Sequence, residues 1–158
     1  MESGNAESIF EAGSLAYWKG YFRKAFKLFK EGAENGNADC MINLASMYTC
    51  GEGVRCDYDK AIEWERRAQD SGHSCAKINL GISYRIKGDL RQARCWFEKA
   101  LDDGDGDAAL HLAKLYMVSD KEADRVKGYL TIAINSDPMC EDSIEEAKML
   151  LALFQQSK

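Results

Sequence analysis

Lys60–Ser74 reads KAIEWERRAQDSGHS, and the spacing within it decides how the chain folds. A small residue, Ala61, is followed three places on by a large apolar one, Trp64. Ala68 stands seven places on and Gly72 eleven. Upstream, KAFKLFKEGAENGNA (Lys24–Ala38) repeats the template as Ala25, Leu28, Gly32 and Gly36. Downstream, QARCWFEKALDDGDGDA (Gln92–Ala108) repeats it as Ala93, Trp96, Ala100 and Gly104, and a weaker copy runs Val126, Tyr129, Ala133, Asp137. The interval of about 32 to 36 residues is that of stacked helix-turn-helix units. Apolar residues fall at helical spacing, no segment alternates with a period of two, and the one proline is Pro138. The chain is expected to be all-α.

The other half of each unit repeats as well. Leu44-Ala45, Leu80-Gly81 and Leu112-Ala113 are each followed at one offset by a tyrosine, Tyr48, Tyr84 or Tyr116, while the first copy is degenerate, with Ala12, Gly13 and Ala16. A small residue beside a leucine lets two helices approach closely, and the tyrosine fills the gap between hairpins. Each hairpin buries one flank only, so stacking must complete the core. The expected fold is a right-handed α-solenoid of about four helix-turn-helix repeats, at 6–37, 38–73, 74–105 and 106–136, forming a single domain. Trp64, Trp96, Tyr48 and Tyr84 should meet at the seams. A C-terminal capping helix over 139–155 should present Ile144, Ala147, Leu150, Leu151 and Phe154 as one stripe.

CMINLASMYTCGEGVRCDYDKAIEWERRAQDSGHS (Cys40–Ser74) resembles a Sel-one-like repeat, a branch of the tetratricopeptide superfamily. The likeness rests on the Leu-small-x-x-Tyr core, the GEGV loop, Asp57, Lys60-Ala61, Trp64, Ala68 and Gly72. LGISYRIKGDLRQARCWFEKAL is closer to an ordinary tetratricopeptide repeat. Thirteen residues separate Tyr48 from Ala61 but nine separate Tyr84 from Ala93, so the second repeat carries the longer inter-helix loop. The resemblance covers roughly residues 6 to 136. Some secreted members pair cysteines between neighbouring helices. The first of such a pair would follow Ala68, where this chain has Gln69. The resemblance therefore implies reduced thiols and a cytoplasmic protein.

Other chemistry finds little support. DDGDGD (Asp102–Asp107) threads the start of a calcium loop from Asp103, but Ala108 stands where that loop needs glycine and Lys114 where it needs a chelating glutamate. In repeat register Gly104 matches Gly36 and Gly72, so the stretch should be a turn, with Asp105 or Asp107 at the next helix N-terminus. Cys40, Cys50, Cys56, Cys75, Cys95 and Cys140, with only His73 and His111, offer no zinc spacing. The cysteines are expected to be free thiols, mostly packed as small apolar groups. GEGV lacks the Lys-Ser or Lys-Thr of a phosphate loop. No catalytic residue, metal or cofactor is expected.

A net charge of −5 with 30% charged residues gives no general pull toward nucleic acid, and the apolar runs are too short to span a bilayer. MESGNAESIF has neither the basic nor the apolar region of a secretory signal. Charge is unevenly spread: Lys19–Lys30 carries five bases and no acids, whereas Glu98–Glu146 carries thirteen acids against five bases. Such polarity steers a partner of matching charge.

Solenoids bind along the concave surface made by the first helix of each hairpin. Phe10, Ile42, Ile78 and Leu110 recur at one place on it, each followed by Glu11, Asn43, Asn79 or His111. The resemblance implies that Asn43 and Asn79 grip the backbone of an extended peptide, since an amide both donates and accepts. Ser46, Ile82 and Lys114, with Arg85 and Met117, would line the same face. The expected function is a non-catalytic adaptor that binds a partner protein or peptide. The alternatives are an immunity protein or secretion chaperone, and a thiol-dependent enzyme. Self-association through an exposed end of the stack is a further reading.

Overall fold

The computed structural model describes residues 3–117, 123–136 and 141–156. Asp137, which ends the weakest copy, and Cys140 lie outside them. Among the described residues there are nine helices and no strand: α1 (Ser3–Trp18), α2 (Phe22–Glu34), α3 (Ala38–Cys50), α4 (Tyr58–Asp70), α5 (Ala76–Lys87), α6 (Leu90–Asp102), α7 (Gly106–Tyr116), α8 (Ala123–Asn135) and α9 (Glu141–Gln156). They fall into two compact units, the first ending at Lys87 and the second beginning at Gly88.

The template residues act first through the backbone. In all three strong copies the glycine is in the left-handed region, with φ of +88° at Gly36, +81° at Gly72 and +91° at Gly104. The next residue then donates its N–H back to the carbonyl of the small residue four places before the glycine. Asn37 reaches Gly32 at 3.0 Å, His73 reaches Ala68 at 3.0 Å and Asp105 reaches Ala100 at 3.1 Å. These close-outs satisfy carbonyls that the helix end would otherwise orphan. Side-chain caps start α3, α4 and α7. Asn37 accepts from Cys40 N–H at 2.8 Å, Asp57 from Lys60 N–H at 3.1 Å, and Asp105 from Asp107 N–H at 3.0 Å. DDGDGD is thus a helix stop joined to a helix start.

In the first unit α1 packs on α2, α2 on α3, α3 on α4 and α4 on α5. Its core gathers Ala25, Phe29, Ala33, Leu44, Ala45, Met47, Tyr48, Ala61, Ala68 and Ala76. Alanines and glycines bring helix axes together here: a Cβ on Gly32 would overlap the Cys40 sulfur, so α2 and α3 meet without space for a methyl group. Tyr48 packs edge-on against Phe26 with ring centroids 5.4 Å apart, and Trp64 lies half-buried against the same cluster. Tyr84 ties α5 to α4 by accepting a hydrogen bond from Arg66 at 2.7 Å. The GEGV loop docks on the turn before α2. Gly53 has φ of +72°, and a Cβ there would come within 2.5 Å of the Phe22 carbonyl oxygen. Beside it the Tyr17 hydroxyl donates to Glu52 at 2.7 Å.

In the second unit α6 packs on α7, α7 on α8 and α8 on α9, which also touches α7. Phe97, Leu112, Ala113, Val126, Leu130 and Ala133 are fully buried, and Trp96 nearly so. Tyr116 and Tyr129 stack with centroids 5.7 Å apart. On α9 Ala147 is buried while Ile144, Leu150, Leu151 and Phe154 are half-buried, so the expected stripe faces inward.

The cysteines correct one expectation. All five described are free, but only Cys40 is buried; Cys50, Cys56, Cys75 and Cys95 are exposed. Cys50 and Cys56 flank the solvent-facing loop after α3, Cys75 sits in the turn before α5, and Cys95 lies on the outer face of α6. None of the four is on the small-residue line that forms the core.

Candidate functional site

The expected binding residues belong to first helices of repeats, and the structure sorts them into two groups. Ile42, Asn43 and Ser46 from α3 and Asn79 and Ile82 from α5 line one cleft of about 260 Å³, together with Thr49, Glu65 and Ser83. All eight residues lie in the first unit. Ile42 and Ile82 are half-buried and Ser46 is exposed, so the cleft has an apolar wall on either side and an open mouth.

The others lie elsewhere. Phe10 packs against Phe29 and the first core, with centroids 6.2 Å apart. Ile78 and Arg85 are on α5 but do not line the cleft. In the second unit Leu110 is only 3% exposed. Its side chain belongs to the α7 core and offers no surface to a partner, which corrects the sequence reading. His111 stacks on Phe97 at 4.8 Å, and Lys114 pairs with Glu146 at 2.7 Å, which ties α7 to α9.

Two residues that sequence reasoning passed over give the cleft its chemistry. Glu65 and Ser83 are 4% and 1% exposed, and the Ser83 hydroxyl donates to Glu65 Oε1 at 2.8 Å. Glu65 Oε2 has no hydrogen-bond partner. A buried carboxylate loses its hydration, and this desolvation pushes the Glu65 carboxyl up to about 7, against a smaller downward pull from the Ser83 hydrogen bond. The repeat register held the signal that finds it. Four places after Ala25, Ala61, Ala93 and Val126 stand Phe29, Glu65, Phe97 and Leu130. The three apolar residues are fully buried, and the second copy puts an acid in their place. Ser83 likewise takes the register position of Met47, which is buried in the first core.

Asn43 is partly occupied, since one of its amide protons goes to the Asp39 carbonyl of its own helix at 2.8 Å. Its oxygen remains for a ligand. A larger hollow of about 570 Å³ lies over Gly20–Lys24 and Gly53, with Trp18 on the same turn 85% exposed. It has basic side chains but none of the buried polar groups that give the smaller cleft a recognisable chemistry. Among the described residues no group of histidine, cysteine and carboxylate side chains is placed to hold a metal ion, and no helix is long and apolar enough to cross a membrane.

With this geometry in hand, comparison with known proteins gives consistent results. The Sel1 repeat family profile matches residues 6–37, 38–73 and 76–105. A Sel1 repeat protein from Oxalobacter formigenes superposes with a TM-score of 0.71 at 23% identity, over 99% of this chain and 75% of that one. A protective antigen of uropathogenic Escherichia coli, described as displaying an SLR fold, superposes with a TM-score of 0.74 at 23% identity, over 96% of this chain and 33% of that one. These likenesses place the fold among α-solenoids. In sequence, chitin synthase regulatory factor 4 of Schizosaccharomyces pombe is 27% identical over 88 residues, which is 55% of this chain and 14% of that protein. The chain therefore spans a small part of that relative's length.

Proposed function

The chain belongs to the Sel1 repeat family, and from that premise we propose that it is a non-catalytic adaptor which holds a partner protein or peptide in the α3–α5 cleft. Members of this family typically mediate protein–protein interactions. The observation that carries the reading is the convergence of Ile42, Asn43, Ser46, Asn79 and Ile82, drawn from two repeats, on one cleft. Apolar walls bury a partner's side chains, and the two amides, one per repeat, suit a backbone running across both helices. The four exposed thiols fit a reducing compartment, so we place its work in the cytoplasm.

The test uses a photo-cross-linking amino acid at Ser46, in the mouth of the cleft, and a control at Glu63, which is exposed on α4 outside it. A partner should be trapped from Ser46 and not from Glu63. With that partner purified, replacing Asn43 and Asn79 together by Ala should weaken binding by at least ~1 kcal/mol. Trapping from both positions alike, or unchanged affinity in the double variant, removes the cleft as the binding surface.

A further inference from the structure

The buried end of the cleft, at Glu65 and Ser83, is suited to accept hydrogen bonds. Three of its polar side chains have already given away a donor: the Ser83 hydroxyl to Glu65, the Thr49 hydroxyl to the Ala45 carbonyl at 3.1 Å, and one Asn43 amide proton to Asp39. The Ser83 and Thr49 hydroxyls have thereby spent their only donors and keep their lone pairs. At the buried end Glu65 Oε2 lacks any partner, although its residue is 4% exposed. A carboxylate so placed is costly to the fold, because its charge is desolvated with only the Ser83 hydrogen bond in return. Phe29, Phe97 and Leu130 show that a repeat of this kind closes around an apolar residue at the same position. The acid is thus an addition to the packing plan, and it lines the cavity.

We infer that the cleft takes a lysine side chain of the partner, its ammonium on Glu65 Oε2 and its methylene stem between Ile42 and Ile82. An ammonium brings three donors and no acceptor, which matches an acceptor-lined end. Guanidinium fits less well: its planar fork seeks both carboxylate oxygens, and Oε1 is already engaged by Ser83. The stem gains from the two isoleucine walls while the charged head reaches inward. At about 260 Å³ the cleft lies just below the roughly 300 Å³ where small-molecule pockets begin, which suits a single long side chain.

The inference rests on the reading of the cleft as a protein-binding surface, and its test is separate from the cross-linking. Protein with labelled isoleucine methyl groups is titrated at pH 8 with the peptide acetyl-Gly-Ala-Lys-Ala-Gly-amide and with the same peptide carrying norleucine or arginine in place of lysine. The lysine peptide should shift the Ile42 and Ile82 methyl signals. It should bind at least tenfold more tightly than the norleucine peptide, more tightly than the arginine peptide, and at least tenfold more weakly to the isosteric variant Glu65→Gln. Less than a tenfold difference in either tenfold comparison, an arginine peptide that binds as well or better, or no shift at the two methyls overturns the lysine assignment. Lysine and norleucine peptides that bind alike at Ile42 and Ile82 overturn it while leaving the cleft a peptide site. A partner that cross-links from Ser46 and Glu63 alike removes the broader reading instead.

Discussion

Glu65 should make the stability of this fold fall as pH rises, and Glu65→Gln should abolish that part of the slope. In the folded chain its carboxyl is pushed up to about 7 by burial, whereas the ordinary value is 4.5. Between those values the folded state holds a proton that the unfolded chain has released. The folded state then binds more protons, so stability decreases with rising pH. The contribution is fully present below about pH 4.5 and has gone once pH passes about 7. At about 1.4 kcal/mol per unit, the full span is worth about 3 kcal/mol, of which roughly 2.5 kcal/mol falls between pH 5 and pH 8. Urea denaturation at those two pH values, on wild type and Glu65→Gln, reads the difference. Other titrating groups are common to both proteins and cancel. The absolute stability of the variant is not the readout, because a buried glutamine amide brings an unsatisfied donor of its own at every pH. Wild type should lose about 2.5 kcal/mol more than the variant on going from pH 5 to pH 8. A difference under about 0.5 kcal/mol would refute a desolvated carboxylate at this position.

Two further outcomes follow from the packing. Under native conditions a chromogenic disulfide reagent should modify Cys50, Cys56, Cys75 and Cys95 quickly, and Cys40 only on unfolding, because Cys40 is buried and its thiol is pushed up to about 11 by desolvation; mass mapping that finds Cys40 among the first labelled contradicts the α2–α3 packing. Gly32→Ala, which gains about 1 kcal/mol in helix propensity, should nevertheless destabilise by about 1–3 kcal/mol, since its methyl overlaps Cys40 and meets Ile9. A stabilised variant in thermal or urea melts would show that the two helices do not approach so closely.

Much of the fold was legible in the residues because the determinants are local. Gly36, Gly72 and Gly104 are needed where the backbone turns left-handed, and Asn37, Asp57 and Asp105 cap helices within a few residues of themselves. Repetition of such local signals at one interval identifies a helical array without any knowledge of long-range contacts. Side-chain exposure was less legible. Register placed Leu110 beside Ile42 and Ile78, yet α7 turns it into the core, where it is 3% exposed. Cysteine's general habit of burial held for Cys40 and failed for Cys50, Cys56, Cys75 and Cys95, whose places in loops and on an outer helix face depend on which flank each helix presents.

By itself, then, the amino-acid sequence determined the helices, their stops and caps, the repeat family and a set of residues on the first helices from which a binding face is assembled. Tertiary structure decided which of them converge: Ile42, Asn43, Ser46, Asn79 and Ile82 meet in one cleft, with Glu65 at its buried end. The physical reason is distance along the chain. A cap or a left-handed turn acts within one turn of helix, whereas the fate of a carboxylate depends on what packs around it. Ser83, 18 residues away, supplies the partner for one oxygen, and nothing packed nearby supplies one for the other.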